Sequence, residues 1–405
     1  MQIFVFNTLV GNVIIEKDIF GLMGGHDLKD NKNNNIWKLT TIAAVLLLAV
    51  VSVLYGLGVG WKKTADKASD KETKQLSLWT ADAKAKTELE SYVKAVTDEK
   101  SADFIPVERR IAVFDLDGTL YGETNPTYFD YSLVIHRVLE DPDYKDKATD
   151  FERKTANAIV AMLRGEPEPD ELEVDNARVL ASAFSGMTVD EFSDYVADFL
   201  NQPAPGYEGM TRGESFYKPM LEVVDYLKAN DFTIYVISGT ERFMIRQITG
   251  ETLGIPNSQF KGTDLSLVAS GQGTTDSLHY VFTDNDEVLW GGELLVENIK
   301  MNKVSVIVQE IGEQPVLSFG NSSGDVSMAE YVTTNNPYRS LAFMLCCDDT
   351  EREYGNIEKA DSMLALCKEQ DWIPVSMKND WTTIYGDGVK KTSDKKPFPF
   401  DVDDN

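Results

Sequence analysis

Two carboxylates stand two residues apart, directly after four apolar residues. The apolar run is Ile111–Phe114, the acids are Asp115 and Asp117, and a glycine and a threonine follow. An uninterrupted run of this kind is typical of a strand buried on both faces of a parallel sheet. Because ligands bind at the carboxyl ends of such strands, the two acids are candidates for nucleophilic, acid–base or metal-binding roles. For these residues alone, a surface turn or part of a calcium loop is the alternative.

Three further groups follow in a fixed order along the chain. Ser238 ends a second apolar strand and is followed by a glycine turn. Lys303 lies at the start of a predicted helix, and Asn321 and Asp325 follow a third strand at 315–319. Two acids, a hydroxyl, an ammonium and an Asn/Asp pair are the groups that bind a phosphate together with a magnesium ion.

The order and spacing of these four motifs resemble the haloacid-dehalogenase (HAD) superfamily of phosphohydrolases. The resemblance extends over residues 78–389 and is greatest for bacterial, phosphoserine-phosphatase-like members. Those proteins carry Gly-Asp-x-x-x-Asp as their last motif, where this chain has Asn321 in place of the first aspartate. The resemblance implies an α/β fold, with a Rossmann-like doubly wound parallel sheet and an inserted helical cap.

In such a hydrolase Asp115 is the expected nucleophile, which attacks phosphorus and forms an aspartyl-phosphate. Asp117 is the expected acid, which protonates the leaving alcohol and afterwards deprotonates the attacking water. The resemblance assigns the binding of phosphate oxygens to Ser238 and Gly239. Lys303 is expected to neutralise the charge that the nucleophile and the phosphate share. The implied substrate is a small phosphorylated metabolite.

The implied cofactor is Mg²⁺, held by the Asp115 carboxylate, the backbone carbonyl of Asp117 and oxygens of Asn321 and Asp325. An amide oxygen at Asn321 still binds magnesium but carries no charge, so we expect weaker metal binding than with an aspartate. Asp325 is expected to compensate in part, directly or through water. If 320–325 is only a turn between strand and helix, Asp325 is instead a helix cap.

Three other functions fit parts of the sequence. A dehalogenase of the same superfamily acts on carbon and lacks the second acid, so Asp117 argues against it. ATP-driven pumps of the superfamily carry threonine at that position and need many membrane spans. A non-catalytic, membrane-tethered binding or scaffold protein on this fold is the alternative outside the enzymes, since a fold does not fix a function. The complete set of motif residues favours the phosphatase.

The chain between Asp117 and Ser238 is 120 residues long, far more than one strand–helix connection needs. Thr188 and Glu191 form a capping-box signature in this interval. Apolar residues recur at helical spacing in four stretches, 128–139, 151–163, 174–184 and 188–200. In HAD proteins an insertion here closes over the nucleophile and selects the substrate. The expected domains are a cap at 122–215 between two segments of the hydrolase core, 78–121 and 216–386.

Two stretches outside the cap also carry structural signals. Apolar residues at 265–268 and 279–289, with a turn at 284–286, predict the small β insertion. Residues 387–405 are charged and contain prolines, so we expect a disordered tail. The helix that contains Lys303 is predicted over 302–311.

Composition excludes one class of partner. The 405 residues include 66 acidic and 39 basic ones, which gives a net charge of −27. This balance argues against a nucleic-acid-binding protein, which needs basic surfaces. The expected partners are the small phosphorylated substrate and, through the N-terminal segment, a membrane; no protein partner can be inferred.

Residues 39–59 form a run of 21 residues without a charge, flanked on both sides by tryptophan beside lysine. This length predicts a single transmembrane helix between an N-terminal tail at 1–38 and a linker at 60–77. A buried helix and a cleaved signal sequence are the alternatives. Within 18 residues of each end of the run, five lysines follow it and three precede it, which favours a cytosolic catalytic part. The bacterial proteins that the chain resembles, in contrast, tend to carry export signals. We expect an uncleaved anchor in the cell membrane, with the catalytic part outside the cytoplasm.

Overall fold

The computed structural model describes residues 75–123 and 126–402. The predicted tail at 1–38, the membrane segment at 39–59 and nearly all of the linker lie outside these residues, so the anchor stays a prediction. Within the described residues, no helix is both long enough and apolar enough to cross a bilayer.

Seven strands form one sheet in the order β5-β4-β3-β1-β6-β7-β8. The strands are β1 (Ile111–Phe114), β3 (Thr233–Glu241), β4 (Phe260–Ala269), β5 (Val288–Val296), β6 (Leu317–Gly320), β7 (Leu341–Cys346) and β8 (Ile373–Ser376). Neighbouring strands pair in parallel, except for the antiparallel β4 and β5. β1 lies at the centre and all four of its residues are buried, as its continuous apolar sequence predicts. The predicted α/β fold with a mostly parallel sheet is therefore confirmed.

Helices flank the sheet. They are α1 (Lys84–Thr97), α2 (Phe129–Ile135), α3 (Asp150–Leu163), α4 (Leu172–Ala183), α5 (Val189–Leu200), α6 (Lys218–Ala229), α7 (Arg242–Thr249), α8 (Met301–Val306), α9 (Val326–Thr333), α10 (Ile357–Gln370) and α11 (Met377–Asp380). A π-helical turn continues α2 over His136–Glu140, and another continues α8 over Ile307–Ile311. The helix predicted over 302–311 is therefore present, as α8 with its π-helical turn.

The long interval after β1 contains α2 to α5, at the positions that the apolar spacing predicts. Each helical segment begins and ends within two residues of its predicted stretch. The Thr188 hydroxyl accepts a hydrogen bond from the Glu191 amide, and the Glu191 carboxylate accepts one from the Thr188 amide. The predicted capping box is therefore present. Buried side chains of these helices, such as Phe184 and Val196, belong to the same hydrophobic core as those of the sheet.

The predicted β insertion differs from the observed strands. Residues 279–287 are not a strand but belong to the connection between β4 and β5. The Asp286 carboxylate accepts hydrogen bonds from the Thr283 amide and from the Tyr280 hydroxyl, so the acid closes a loop where we predict a hairpin turn. Because β4 also pairs with β3, the β4–β5 pair extends the main sheet.

The chain after residue 386 differs from the disordered tail that we predict. A short strand, β9 (Lys390–Lys391), pairs with β2 (Tyr207–Glu208) of the cap region. Phe400 is buried, and the Asp401 amide donates a hydrogen bond to Glu140. A prediction from charge and proline content leaves out two aromatic side chains of this segment, Phe398 and Phe400, which pack against each other.

Candidate active site

The two motif acids lie at the carboxyl end of the central strand. β1 pairs with β3 on one side and with β6 on the other. The chain leaves β1 at Asp115, Ser238 lies near the carboxyl end of β3, and Asn321 directly follows β6. Because these strands are parallel, their carboxyl ends meet at one edge of the sheet. The motif residues, which are far apart in sequence, therefore share one site.

Lys303 joins two buried carboxylates. Its Nζ lies 2.6 Å from Asp115 Oδ1 and 2.6 Å from Asp325 Oδ1. Burial alone lowers the pKa of a lysine, but the two carboxylates raise the pKa of Lys303 by more, so the ammonium stays charged. Burial raises the pKa of Asp115, as does the neighbouring Asp325, while Lys303 opposes both effects. The lysine stands where it can neutralise charge at Asp115.

Asp117 is hydrogen-bonded through one oxygen only. Its Oδ2 accepts a hydrogen bond from Thr240 Oγ1 at 2.5 Å, whereas its Oδ1 is buried without a hydrogen-bond partner among the described residues. Burial raises the pKa of Asp117 to about 7, the Thr240 bond opposes this rise, and Asp130 and Glu123 add to it. A carboxyl with this pKa is partly protonated at neutral pH, which suits a group that both gives and accepts a proton.

Ser238 and Gly239 line the cavity beside these acids, together with Thr240. Ser238 is 1% exposed, and its Oγ accepts a hydrogen bond from the Thr240 amide at 3.1 Å. Its carbonyl accepts a hydrogen bond from Asn298 Nδ2 at 3.0 Å. This end of β3 is thereby fixed, with a hydroxyl and a backbone turn at the cavity surface.

Asp325 holds the loop that follows β6. Its Oδ2 accepts hydrogen bonds from the backbone amides of Asn321 and Ser322, both at 3.0 Å, and its Oδ1 accepts one from Lys303. Although Asp325 is the residue before α9, its side chain does not cap that helix. Protein donors therefore engage both oxygens, which favours a positioning role over the metal ligation that we predict for this residue.

The site opens into a cavity of about 680 Å³. We call Asp115, Asp117, Ser238 and Lys303 the floor of this cavity. Four more acids that line the cavity form what we call the acidic wall: Asp130, Glu168, Glu173 and Glu297. Glu358, Lys300 and Lys359 also line it.

Burial is the main cause of raised pKa values on the acidic wall. It raises the pKa of Asp130 to about 7 and that of Glu297 to about 7, and it also raises the pKa of Glu173. The acids raise one another's pKa values further, while Lys300 lowers those of Glu173 and Glu297. A substrate above the floor therefore faces several carboxyl groups.

Sequence reasoning missed three residues of the site, Thr240, Glu123 and Lys359. Thr240 follows Ser238 by two residues and could have been found as part of the same motif. The Glu123 carboxylate forms an ion pair with Lys359, and its other oxygen lies 3.3 Å from Asn321 Nδ2. Since Glu123 and Lys359 are 236 positions apart, no local pattern reports their contact.

A family model for haloacid dehalogenase-like hydrolases matches residues 112–330, more than half of the chain. The chain belongs to the haloacid dehalogenase-like hydrolases. The match extends from β1 through the cap region to α9, so it includes all the motif residues of this HAD hydrolase. No curated protein matches the sequence.

Several solved structures are similar to this HAD hydrolase at low sequence identity. A functionally unknown protein from Anaerococcus prevotii is 12% identical with a TM-score of 0.43, over 72% of this chain and 91% of that chain. Cytosolic 5′-nucleotidase IIIB bound to cytidine is 12% identical with a TM-score of 0.42, over 72% of this chain and 85% of that chain. A phosphoserine phosphohydrolase-like protein from Francisella tularensis is 14% identical with a TM-score of 0.34, over 63% and 92%. Similarity this weak adds nothing to the family assignment.

The residues of this HAD hydrolase fit the implied Mg²⁺ in their chemistry. The Asp115 carboxylate, the Asp117 carbonyl and the Asn321 amide are the hard oxygen donors that Mg²⁺ prefers. Asn321 packs against the turn that follows Asp117, since a Cβ on Gly118, whose φ is +76°, would lie 1.9 Å from Asn321 Nδ2. The described part of the chain holds no cluster of three or more His, Cys, Asp or Glu side chains suited to a metal ion. The implied set uses two acidic side chains, Asp115 and Asp325, and is not a cluster of that kind.

Proposed function

We propose that this HAD hydrolase cleaves small phosphate monoesters through an aspartyl-phosphate at Asp115, with Mg²⁺ as its cofactor. The observation that carries this proposal is the contrast between the two neighbouring acids. Burial raises the pKa of both carboxyl groups, but their partners differ. Asp115 forms an ion pair with Lys303, whereas Asp117 accepts one hydrogen bond, from Thr240, and its other oxygen has no partner among the described residues. Two carboxyl groups whose environments differ in this way can act as nucleophile and as proton donor at the same pH.

In the first step an oxygen of Asp115 attacks phosphorus, and the bond from phosphorus to the ester oxygen breaks. Asp117 gives its proton to that ester oxygen, so the alcohol leaves neutral. In the second step water attacks the phosphorus of the aspartyl-phosphate, and Asp117 accepts the proton of the water. The bond from phosphorus to Asp115 then breaks, which releases inorganic phosphate and restores both acids.

The other floor residues stabilise the charge on the transferring phosphoryl group. Lys303 provides a fixed ammonium, and Ser238 and Gly239 provide a hydroxyl and a backbone amide. A bound Mg²⁺ supplies further positive charge at the phosphoryl oxygens, and Asp115, the Asp117 carbonyl and Asn321 are the groups that would hold it.

Release of inorganic phosphate from an aryl phosphate, with and without Mg²⁺, tests the proposal. Asp115→Asn should abolish turnover in a folded protein, because an amide is a poor nucleophile. Asp361→Asn, which removes a charge from an exposed position of α10, is the matched control and should keep turnover. Wild-type turnover by a folded Asp115→Asn protein would overturn the mechanism, and a wild type inactive on every monoester tested would overturn the function.

The acidic wall bears on the substrate class. Several carboxyl groups that line the same cavity as the floor disfavour a substrate with further negative charge beyond its phosphate. We therefore propose a small phosphomonoester whose alcohol part is neutral or cationic. A panel of phosphorylated metabolites that differ in the charge of the alcohol tests this class.

We also propose that residues 39–59 anchor the protein in the cell membrane, with the catalytic part outside the cytoplasm. The uncharged length and the flanking tryptophan and lysine residues support the anchor. The full-length protein should stay in the membrane fraction after a carbonate wash, and protease added to intact cells should digest the catalytic part. A mature chain that begins near residue 61 would identify a cleaved leader, and protection from protease would reverse the orientation.

A further inference from the structure

The turn after β1 brings an acid that belongs to no motif back to the site. Glu123 is 7% exposed, and its Oε2 lies 3.3 Å from Asn321 Nδ2. Its Oε1 accepts hydrogen bonds from the Tyr128 hydroxyl at 2.7 Å and from Lys359 Nζ. Glu123 is therefore a buried carboxylate that contacts Lys359 through one oxygen and Asn321, an implied ligand of the cation, through the other.

Glu123 and Asn321 meet directly over Gly118. A Cβ at Gly118 would lie 1.9 Å from Asn321 Nδ2 and 3.1 Å from Glu123 Oε2. Gly118 follows Asp117, whose backbone carbonyl is one of the implied ligands of the cation. A glycine is required at this position both by its φ of +76° and by the close approach of the two side chains.

The two acids of the implied cation site, Asp115 and Asp325, both share their charge with Lys303. The other implied donors are neutral oxygens. Mg²⁺ sites in proteins commonly include one or two carboxylates. We propose that Glu123 supplies the carboxylate charge of the cation site that Asn321 lacks. This inference rests on the proposed function, because that function is what places Mg²⁺ here.

A purely structural role for Glu123 would be to hold Lys359 and Tyr128. The two roles differ in what they predict for metal binding in the absence of substrate. If Glu123 belongs to the cation site, its charge and that of residue 321 are interchangeable. If Glu123 only holds Lys359, an aspartate at position 321 does not replace it, and loss of either partner of the ion pair has the same effect on metal affinity.

Binding of Mn²⁺ to the full-length chain in a mild detergent, followed by the electron paramagnetic resonance signal of free Mn²⁺, tests the proposal without turnover. Glu123→Gln should weaken Mn²⁺ binding about 10- to 100-fold, the usual effect of changing an acid at a metal site. Asn321→Asp should tighten it. The double variant Glu123→Gln/Asn321→Asp should return to within about threefold of the wild type, because one carboxylate replaces the other.

Lys359→Gln is the control that separates the two roles and does not require the Glu123 variants to fold. It removes the cation that competes for the Glu123 carboxylate, so Mn²⁺ binding should tighten about threefold or more. A structural role predicts that Lys359→Gln and Glu123→Gln act in the same direction, since each breaks the same ion pair. Thermal unfolding of each metal-free variant reports whether the fold is kept.

The outcomes distinguish this inference from the proposed function. Glu123→Gln with wild-type Mn²⁺ affinity, a double variant as weak as Glu123→Gln, or weaker binding in Lys359→Gln would each overturn the role of Glu123 and leave the phosphatase proposal standing. A wild type that binds no Mn²⁺ at millimolar concentration would overturn the cation site itself. Loss of activity in Asp115→Asn with the predicted Mn²⁺ affinities would support both.

Discussion

The floor and the acidic wall of the cavity are both rich in carboxyl groups, but they balance the charge differently. On the floor, Lys303 lies between Asp115 and Asp325 and contacts both. On the acidic wall, no acid forms an ion pair with a lysine or arginine in the part of the chain that the structure describes. A fixed, paired arrangement suits chemistry that is the same for every substrate. An acidic wall without paired cations suits discrimination between substrates.

The largest effect is expected when the floor loses the cation that balances its carboxylates. Lys303→Met leaves two buried carboxylates without their cation, which should cost about 3–5 kcal/mol of unfolding free energy and remove turnover. Lys300→Met, three positions earlier, removes an exposed lysine beside the acidic wall and should change the unfolding free energy by less than about 1 kcal/mol. Urea unfolding of both variants, with phosphate release from an aryl phosphate, measures the contrast. Equal effects of the two substitutions would remove the distinction between the two regions.

A smaller effect is expected for Asp325, and it tests whether this residue has a positioning role. Asp325→Asn keeps the shape of the side chain but loses the charge that faces Lys303 and one oxygen acceptor. The metal-free protein should lose about 2 kcal/mol of unfolding free energy, within the range for hydrogen bonds to charged groups. The exposed Asp361→Asn variant, measured in parallel, should lose almost none. If metal-free Asp325→Asn is as stable as the wild type and only Mn²⁺ binding weakens, Asp325 is the metal ligand that the sequence predicts.

The sequence could predict the residues that follow a local pattern, but not the contacts between elements that are remote in the chain. Three residues of the floor, Asp115, Asp117 and Ser238, lie at or near strand ends, where an apolar run is followed by a polar group. Parallel pairing then brings them together. Lys303 lies in α8 instead. Contacts such as that between Glu123 and Lys359 depend on how remote elements pack, and no local pattern encodes them.

Two structural predictions failed for physical reasons of their own. Residues 279–282 include apolar side chains that suggest a strand, but the Asp286 carboxylate accepts hydrogen bonds from the Thr283 amide and the Tyr280 hydroxyl and stabilises a loop instead. The segment after residue 386 has a composition typical of disorder. Burial of Phe400 and pairing of β9 with β2 hold it against the rest of the chain.

A third prediction concerns selection by the acidic wall. Glu173→Gln and Glu297→Gln each remove a carboxyl group that faces the substrate, without touching the floor. For a phosphomonoester that carries an extra carboxylate, kcat/KM should rise about fivefold, which corresponds to about 1 kcal/mol. For one that carries an amine it should fall by a similar factor. Most of either change should be in KM, because the floor groups are unchanged.

Measuring kcat and KM of each variant and of the wild type with both esters tests this prediction. Equal changes for both substrates, or a loss confined to kcat, would show that the acidic wall does not discriminate by charge. Asp361→Asn serves again as the control for a lost negative charge outside the cavity.

The smallest expected effect concerns stability and pH at Asp130. Burial is the main cause that raises the pKa of Asp130 to about 7, above the value of about 3.9 for an unfolded aspartate. The folded state therefore favours the protonated form. Its stabilisation is fully present below about pH 4 and is lost as the pH rises towards 7, since the unfolded chain ionises first. Because Asp130 is only partly shielded from solvent, we expect a contribution of about 1 kcal/mol, or ~2–4 °C in Tm.

Asp130→Asn, which keeps a hydrogen-bond partner for Asn176, should show a smaller fall in Tm between pH 5 and pH 8 than the wild type. Tm curves for the two proteins that stay parallel across this range would show that Asp130 is ionised in the fold at neutral pH, and the acidic wall would then carry its full negative charge.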